Sequence, residues 1–474
     1  MADALELADI QGLVARGFGN LRACRFLGLV VEDPAASRRW LGQLADEVTP
    51  AQERPGDSSV QVAFTSSGLR AVGLPAEVID RFSVEFVEGM VAPHRSRFLG
   101  DLEEHAPEGW AWGGPRAERV DALLALYASD EAALSALTDR HRQGLTTNGL
   151  RAVVELDTFD IGDFEHFGFR DGISQPIIEG LSRADGSEAA TVRAGEFVLG
   201  YPNAYGLYTD RPLIDSAADP GAILPRDAAG SGSADFGRNG TYLAFRQLSQ
   251  NVARFWRYMD GATRAAEGSG DPASRVALAA KMVGRWPDGA PLVLSPDRDD
   301  PAQSHANDFG YFNADHLGQK CPFGAHIRRT APRDSLDPNP GSAESVAVAN
   351  RHRLLRRGRE YGQPLSMSDA LADEGPEANG DERGLHFICL NGNLARQFEF
   401  VQHTWVNDRH FNGLYDDVDP IGAHFTPPGS TYTLPGHPVR TRVTQVPSFI
   451  SVRGGAYFFM PGIRAIRYMA ALDS

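Results

Sequence analysis

Apolar residues crowd into LRACRFLGLVVED, a β-rich run ending near Asp33, and then recur at helical spacing through PAASRRWLGQLADEV, with Pro34 at its start. A strand followed by a helix is the expected pair. Nearly half a chain later the same pattern returns in GTYLAFRQLSQNVARFWRYM, where Tyr242 to Leu248 read as strand and Asn251 to Met259 as amphipathic helix. Further strands are expected at SSVQVAFT, GLRAVVEL, LHFICL, and FISVRGG with AYFFM. They are interleaved with helices at PAEVIDRFSVEFVEGM, ASRVALAAKMVGRW and NLARQFEFVQHTWV. No regular βαβ units with short crossovers are visible, so the pattern predicts an α+β chain with antiparallel sheets, arranged as two related halves. The stretch DSAADPGAILPRDAAGSGSADFGRNG has no periodicity and is the best candidate for a linker, near residues 215 to 240. DSLDPNPGSAES and SDALADEGPEANGDERG read as exposed loops from their Pro, Gly and acidic content.

Composition narrows the partners. With 474 residues and 42% hydrophobic content the chain can bury one large or two medium cores. A formal net charge of −16 argues against nucleic acid or an anionic membrane and favours a small neutral or cationic substrate. Cys24, Cys321 and Cys389 lie far apart without a CxxC pair, which supports neither a disulfide framework nor a zinc site and favours a reducing compartment. The N-terminus has acidic residues where a signal peptide needs basic ones. No stretch reaches the roughly 18 to 20 apolar residues of a membrane span. A cytoplasmic, soluble protein is expected.

Three stretches can carry chemistry. In FEHFGFRDGISQP, glycines near Asp171 permit a tight backbone path, so that the carboxylate could project into a pocket beside Phe169 and Ile173; Asp before Gly is also a common turn. In CPFGAHIRRTAPR, His326 precedes Arg328, Arg329 and Arg333. An imidazole can ligate iron and guanidiniums pair with carboxylates, although a lone His is more often structural. In RHRLLRRGREYG, Arg353, Arg356 and Arg357 surround a short apolar pair; such runs are usually solvated, and an arginine turned inward needs an anion. Neither a nucleotide-binding glycine loop nor a nucleophile elbow occurs elsewhere.

FGFRDGISQP, GRWPDGAPL, CPFGAHIRR, LLRRGREYG and the closing VRGGAYFFMPG resemble the dye-decolorising peroxidases, in this order and over nearly the whole chain. The resemblance implies two ferredoxin-like α+β halves of the dimeric α+β barrel type, expected at 1–225 with the GFRDG motif and at 235–474 with the haem ligand. It also implies one haem b per chain, with His326 as proximal iron ligand, Asp171 as distal acid–base residue and Arg356 as its distal partner. Arg333 resembles the arginine that pairs with a haem propionate, and Leu385 and Phe387 resemble apolar residues closing the distal side. The acid supporting His326 is either Asp419 or Glu399, with Asp419 favoured by its place after the long C-terminal helix. Gly358 stands where one subgroup carries Asn two residues after the distal Arg, which points to the longer-chain subgroups.

The implied activity is reduction of hydrogen peroxide coupled to one-electron oxidation of dyes, phenolics and similar small aromatics. A haem-handling protein, deferrochelatase or carrier, on the same fold is the alternative, followed by a non-catalytic α+β binding module. A homo-oligomer is compatible with the sequence, and Trp256, Trp286, Trp405 and Tyr415 are candidate electron relays that could equally be packing residues.

Overall fold

Asp33 ends strand β1 (Ala23–Val31) and caps helix α1 (Pro34–Glu47) by accepting the N–H groups of Ala35 and Ala36, with Pro34 at the first helical position. The computed structural model describes residues 4–181, 191–219, 221–264, 271–372, 382–424 and 429–472. From α1 the chain continues through β2 (Ser58–Phe64), β3 (Ala122–Ala128), α2 (Glu131–Leu145) and β4 (Leu150–Asp157). These strands lie antiparallel in the order β4-β1-β3-β2.

The arrangement is repeated. Strand β5 (Thr241–Gln250) leads into α3 (Val252–Thr263), which is capped by the Asn251 side chain accepting from Arg254 N–H. Helix α4 (Pro272–Val283), the five-residue α5 (His326–Thr330) and the short strands β6 (Leu355–Arg356) and β7 (Arg359–Tyr361) follow. Then come β8 (Gly384–Asn391), β9 (Ile450–Met460) and the closing helix α6 (Ile463–Ala470). β6 and β7 both pair with β8, which pairs with β5, which pairs with β9. In each half the first strand therefore lies between the third and the last, the ferredoxin-like order. One pair, Phe459 with Phe64, joins the halves into a continuous sheet. The α+β class with antiparallel sheets is as the apolar pattern predicts.

Both faces of this sheet are covered. Trp40, Leu41 and Leu44 of α1 and Ile466 and Met469 of α6 pack on one side, and Phe26, Tyr127 and Phe245 point into a second cluster. This explains why one strand carries no alternating pattern: ALLALYA of β3 is buried at all seven positions and so lacks the alternation that marks a half-exposed strand.

Other expectations need correction. The helix expected over 75–90 is two short ones, Ala76–Ile79 and Val84–Glu88, the second capped by Ser83. The 393–406 helix is wound wide over Ala395–Glu399 and Val401–Val406, with i→i+5 bonds such as Glu399 N–H to Leu394 O at 2.9 Å. FISVRGG and AYFFM form one strand, with a register shift between Val452 and Gly454. The segment expected to be a linker is packed: Leu224, Ala234 and Phe236 are buried, and Asp227 and Asp235 hold Arg211. Its Asp-rich composition serves local turns, where Asp219 accepts the N–H groups of Ile223 and Leu224, rather than a free chain. DSLDPNPGSAES is likewise anchored, since the buried Asp334 accepts from Tyr311 N–H at 2.6 Å. The other loop candidate, 368–384, lies largely outside the described residues after the helix Met367–Ala372. No helix among the described residues is long and apolar enough to cross a membrane, and the three cysteines are free and buried.

Candidate active site

The GFRDG loop is wound around one of its own carboxylates. Glu165 accepts the N–H groups of Phe167 (2.9 Å) and Phe169 (3.0 Å), while Phe167 and Phe169 anchor the loop against Phe255 and Trp256. Gly168 (φ +93°) and Gly172 (φ +76°) take left-handed conformations that a side chain would resist. Asp171, held between them by its N–H bond to Asp163 O at 2.9 Å, turns its carboxylate towards Arg356 at the end of β6. The Arg356 guanidinium donates to Asp171 Oδ1 at 2.7 Å. The Gln175 amide bonds both backbone groups of Arg356, each at 3.1 Å, so that two segments 185 residues apart are fastened together. Gly358 is demanded by close approach: a Cβ there would lie 2.5 Å from His386 O.

Burial works against the Asp171 carboxylate, but Arg356, the Gly172 N–H and the neighbouring His326 outweigh it and hold the carboxyl below its usual range. Only Arg356 of its pair turns inward, because Arg357 donates to the carbonyls of Leu13 and Val14.

His326 opens α5. Its Nδ1 lies 3.0 and 3.2 Å from the two Asp419 oxygens, which leaves Nε2 as the nitrogen able to ligate a metal. Asp419 also accepts from Ile421 N–H (2.8 Å) and Gly422 N–H (2.7 Å). A Cβ at Gly422 would stand 3.1 Å from the imidazole, so this glycine makes room for the ring. Burial opposes the charged imidazolium, yet Asp419 prevails and raises His326 above its ordinary value. Glu399 is elsewhere: it accepts from Arg95 at 2.9 and 2.8 Å and from the Tyr457 hydroxyl at 2.8 Å. His166 is bonded through Nε2 to Tyr361 O at 2.8 Å, and burial pulls it down to about 4.

Asp171, Arg356 and His326 face one cavity of 270 Å³, with Leu385, Phe387, Phe398, Val401 and Ile421 among its apolar walls. Leu385 and Phe387 are alternate residues of β8 and so share a face. Arg333 also lines it, with φ +55°, donating to Asn307 O (2.7 Å) and lying 3.8 Å from the Phe309 ring centroid. Arg328 and Arg329 are instead scaffolding, bound to Asp315 and to the carbonyls of Trp405, Asp408 and Asp417.

Four lining arginines received no role from the sequence, and of these Arg170 pairs with Asp163 and Arg246 with Asp101. Burial pushes Arg285 and Arg353 each down to about 10, and like Arg333 they make no ion pair among the described residues. Arg285 lies in GRWPDG, where the motif itself was the available signal. An apolar cavity with an imidazole nitrogen to offer and three cations short of anions suits a flat metal macrocycle that carries carboxylates, which is what haem is. Of the candidate relays, Trp256 packs on Phe169, Trp286 donates to Ser295 O, Trp405 is buried and Tyr415 is 66% exposed.

No protein-family model matches the chain. It is 30% identical to a dye-decolorizing peroxidase of Exidia glandulosa, over 98% of this chain and 87% of the relative. It is 32% identical to the multifunctional dye peroxidase DyP2 of an Amycolatopsis species, over 93% and 91%. A dye-decolorizing peroxidase solved in complex with 2,6-dimethoxyphenol superposes with a TM-score of 0.78 at 26% identity, covering 98% of this chain and all of that one. Likeness of this extent, in sequence and in fold, means that the chain belongs to the dye-decolorizing peroxidase family.

Proposed function

We propose that this chain is a haem b peroxidase, one haem per chain, that reduces hydrogen peroxide and oxidises dyes or phenols by one-electron steps. The observation that carries this reading is the single cavity that joins the His326–Asp419 pair to the Asp171–Arg356 pair. Its relatives are named for dye oxidation, and one has been solved with a phenol bound.

In this reading His326 ligates the iron through Nε2, while Asp419 holds the Nδ1 proton and makes the ring a stronger donor. Arg333, without a carboxylate of its own, meets a propionate. Bound haem supplies the redox-active iron and the ring through which two donors are oxidised. Asp171, kept ionised by Arg356, takes a proton from one oxygen of hydrogen peroxide and delivers it to the other, which departs as water. Arg356 is a fixed cation at the negative charge that develops on the departing oxygen. Leu385 and Phe387 keep this space apolar, which strengthens both effects.

The division into halves at 1–225 and 235–474 and a cytoplasmic location belong to the same reading, the latter supported by three free thiols. An absorption spectrum of the purified protein, before and after one equivalent of peroxide and followed by dye turnover, tests the function. A haem band that changes with peroxide and returns as dye is consumed is expected. Stable haem binding without peroxide turnover would make the protein a haem carrier.

A further inference from the structure

A second, smaller cavity of 190 Å³ lies against the Asp171–Arg356 pair. Asp171, Arg356, Leu385 and Phe387 line both cavities and therefore form the wall between them. Asp163, with its side chain 74% exposed, and Glu360 complete the small cavity's polar lining with Gln175. Glu360 reaches it by strand geometry. In β7 it stands opposite Leu385, while its neighbours turn to the other face: Arg359 donates to the carbonyls of Gly17, Phe18 and Leu21, and Tyr361 stacks on His386.

Among the described residues the Glu360 side chain makes no ion pair and no hydrogen bond to another residue, although its strand is otherwise fully tied down. A half-buried carboxyl left without a partner, beside a catalytic wall, has no structural duty to explain it.

We propose that Glu360 exchanges protons between solvent and Asp171 through this small cavity, serving as a positioning and proton-relay residue behind the distal pair. The inference rests on the peroxidase reading above. Burial, then the charges of Asp171 and Glu165, pushes Glu360 up to about 7, against the opposing pull of Arg359. Asp171, by contrast, is held low by Arg356. Two carboxyls driven apart in this way divide the roles of base and proton store. The stoichiometry needs such a store. One hydrogen peroxide takes up two electrons and two protons, its O–O bond breaks, and two waters leave. Two one-electron donors supply the electrons, and when these bring no protons, the protons come from solvent.

Glu165 is the competing group, since burial pushes it to about 7 as well. Its carboxylate is engaged by Phe167, Phe169 and Gln250, and it lines only the larger cavity. The test therefore compares Glu360→Gln, Glu360→Asp and Glu165→Gln. Reduction of the peroxide-treated holoprotein by ferrocyanide, a donor without a proton to give, should slow roughly tenfold between about pH 6 and about pH 8 in the wild type, as a group titrating near 7 ionises. Glu360→Gln should flatten that fall to less than about twofold, and Glu360→Asp should restore it. On the protein as purified, an infrared band of a protonated carboxyl that titrates near neutrality should be lost in Glu360→Gln. A working peroxidase in which the fall survives Glu360→Gln and vanishes in Glu165→Gln overturns the relay alone. A protein that takes up no haem, or leaves peroxide unreacted, overturns the peroxidase reading and the relay with it.

Discussion

The Asp419 carboxylate behind His326 has no accessible surface and accepts two backbone N–H groups besides the imidazole, whereas the Asp171–Arg356 pair leaves 35% and 31% of its side chains accessible. Both pairs join a carboxylate to a cationic or basic partner at the same cavity. The buried carboxylate is bonded through both of its oxygens and serves to hold its histidine in one orientation. The open pair keeps accessible oxygen and N–H groups, so protons and small molecules can come and go. Holding a metal and moving a proton ask for opposite degrees of closure.

The largest effect should come from breaking the closed side. His326→Ala is expected to lose most bound haem, or to shift its absorption band strongly, because it removes the imidazole nitrogen that Asp419 holds towards the cavity; the other histidine of the lining, His424, is buried with its Nδ1 3.1 Å from Asp101. Retention of the wild-type spectrum and activity would reassign the ligand.

Breaking the open side should spare binding. Asp171→Asn and Arg356→Leu are each expected to keep haem and to slow the reaction with peroxide by a factor on the order of 10² or more in stopped flow. The two variants should separate in their pH dependence. Asp171 lies below its usual range in the wild type, so its base function is present from mildly acidic pH upwards and is lost only as pH falls through that low value. In Arg356→Leu burial is opposed only by the Gly172 N–H and His326, the carboxyl rises, and the residual rate should fail at higher pH than in the wild type. An acid limb unmoved by loss of Arg356 would assign that limb to another group.

Asp419→Asn tests whether closure matters to the held histidine. Loss of the charge behind the imidazole is expected to weaken haem retention or activity by about 10- to 100-fold, less than loss of the ligand itself. The matching change Glu399→Gln should leave the haem spectrum untouched and appear in thermal melting, since it leaves the buried Arg95 with Glu88 as its one remaining carboxylate among the described residues. The smallest effect is expected from Arg333→Ala. It should loosen haem severalfold in a transfer assay while the peroxide rate stays near wild type, because two further unpaired arginines face the same cavity.

Much of this protein could be read along the chain. Asp33 and Asn251 cap the helices that their positions announce, and strands β1, β5 and β8 follow their apolar runs. The stretches around Asp171, His326 and Arg356 stood out by residue type and by resemblance. These features are local, and local sequence encodes them through backbone preference and side-chain spacing.

Tertiary structure decided the rest. Which of two acids stands behind His326, that Arg356 turns inward and Arg357 does not, and that Arg285 and Arg353 face the cavity all depend on segments far apart in sequence meeting at one point. Strand β3 escaped notice because burial on both faces removes the alternation that marks a strand, and the Asp-rich 215–240 segment looked free because its turns are closed by side chains whose partners composition does not name. Glu360 shows the same limit most sharply: its register opposite Leu385 places it in the lining of the small cavity with Asp171, and burial raises its carboxyl. Register and burial are properties of packed strands, and so the environment of each ionisable group is set only when the chain closes around it.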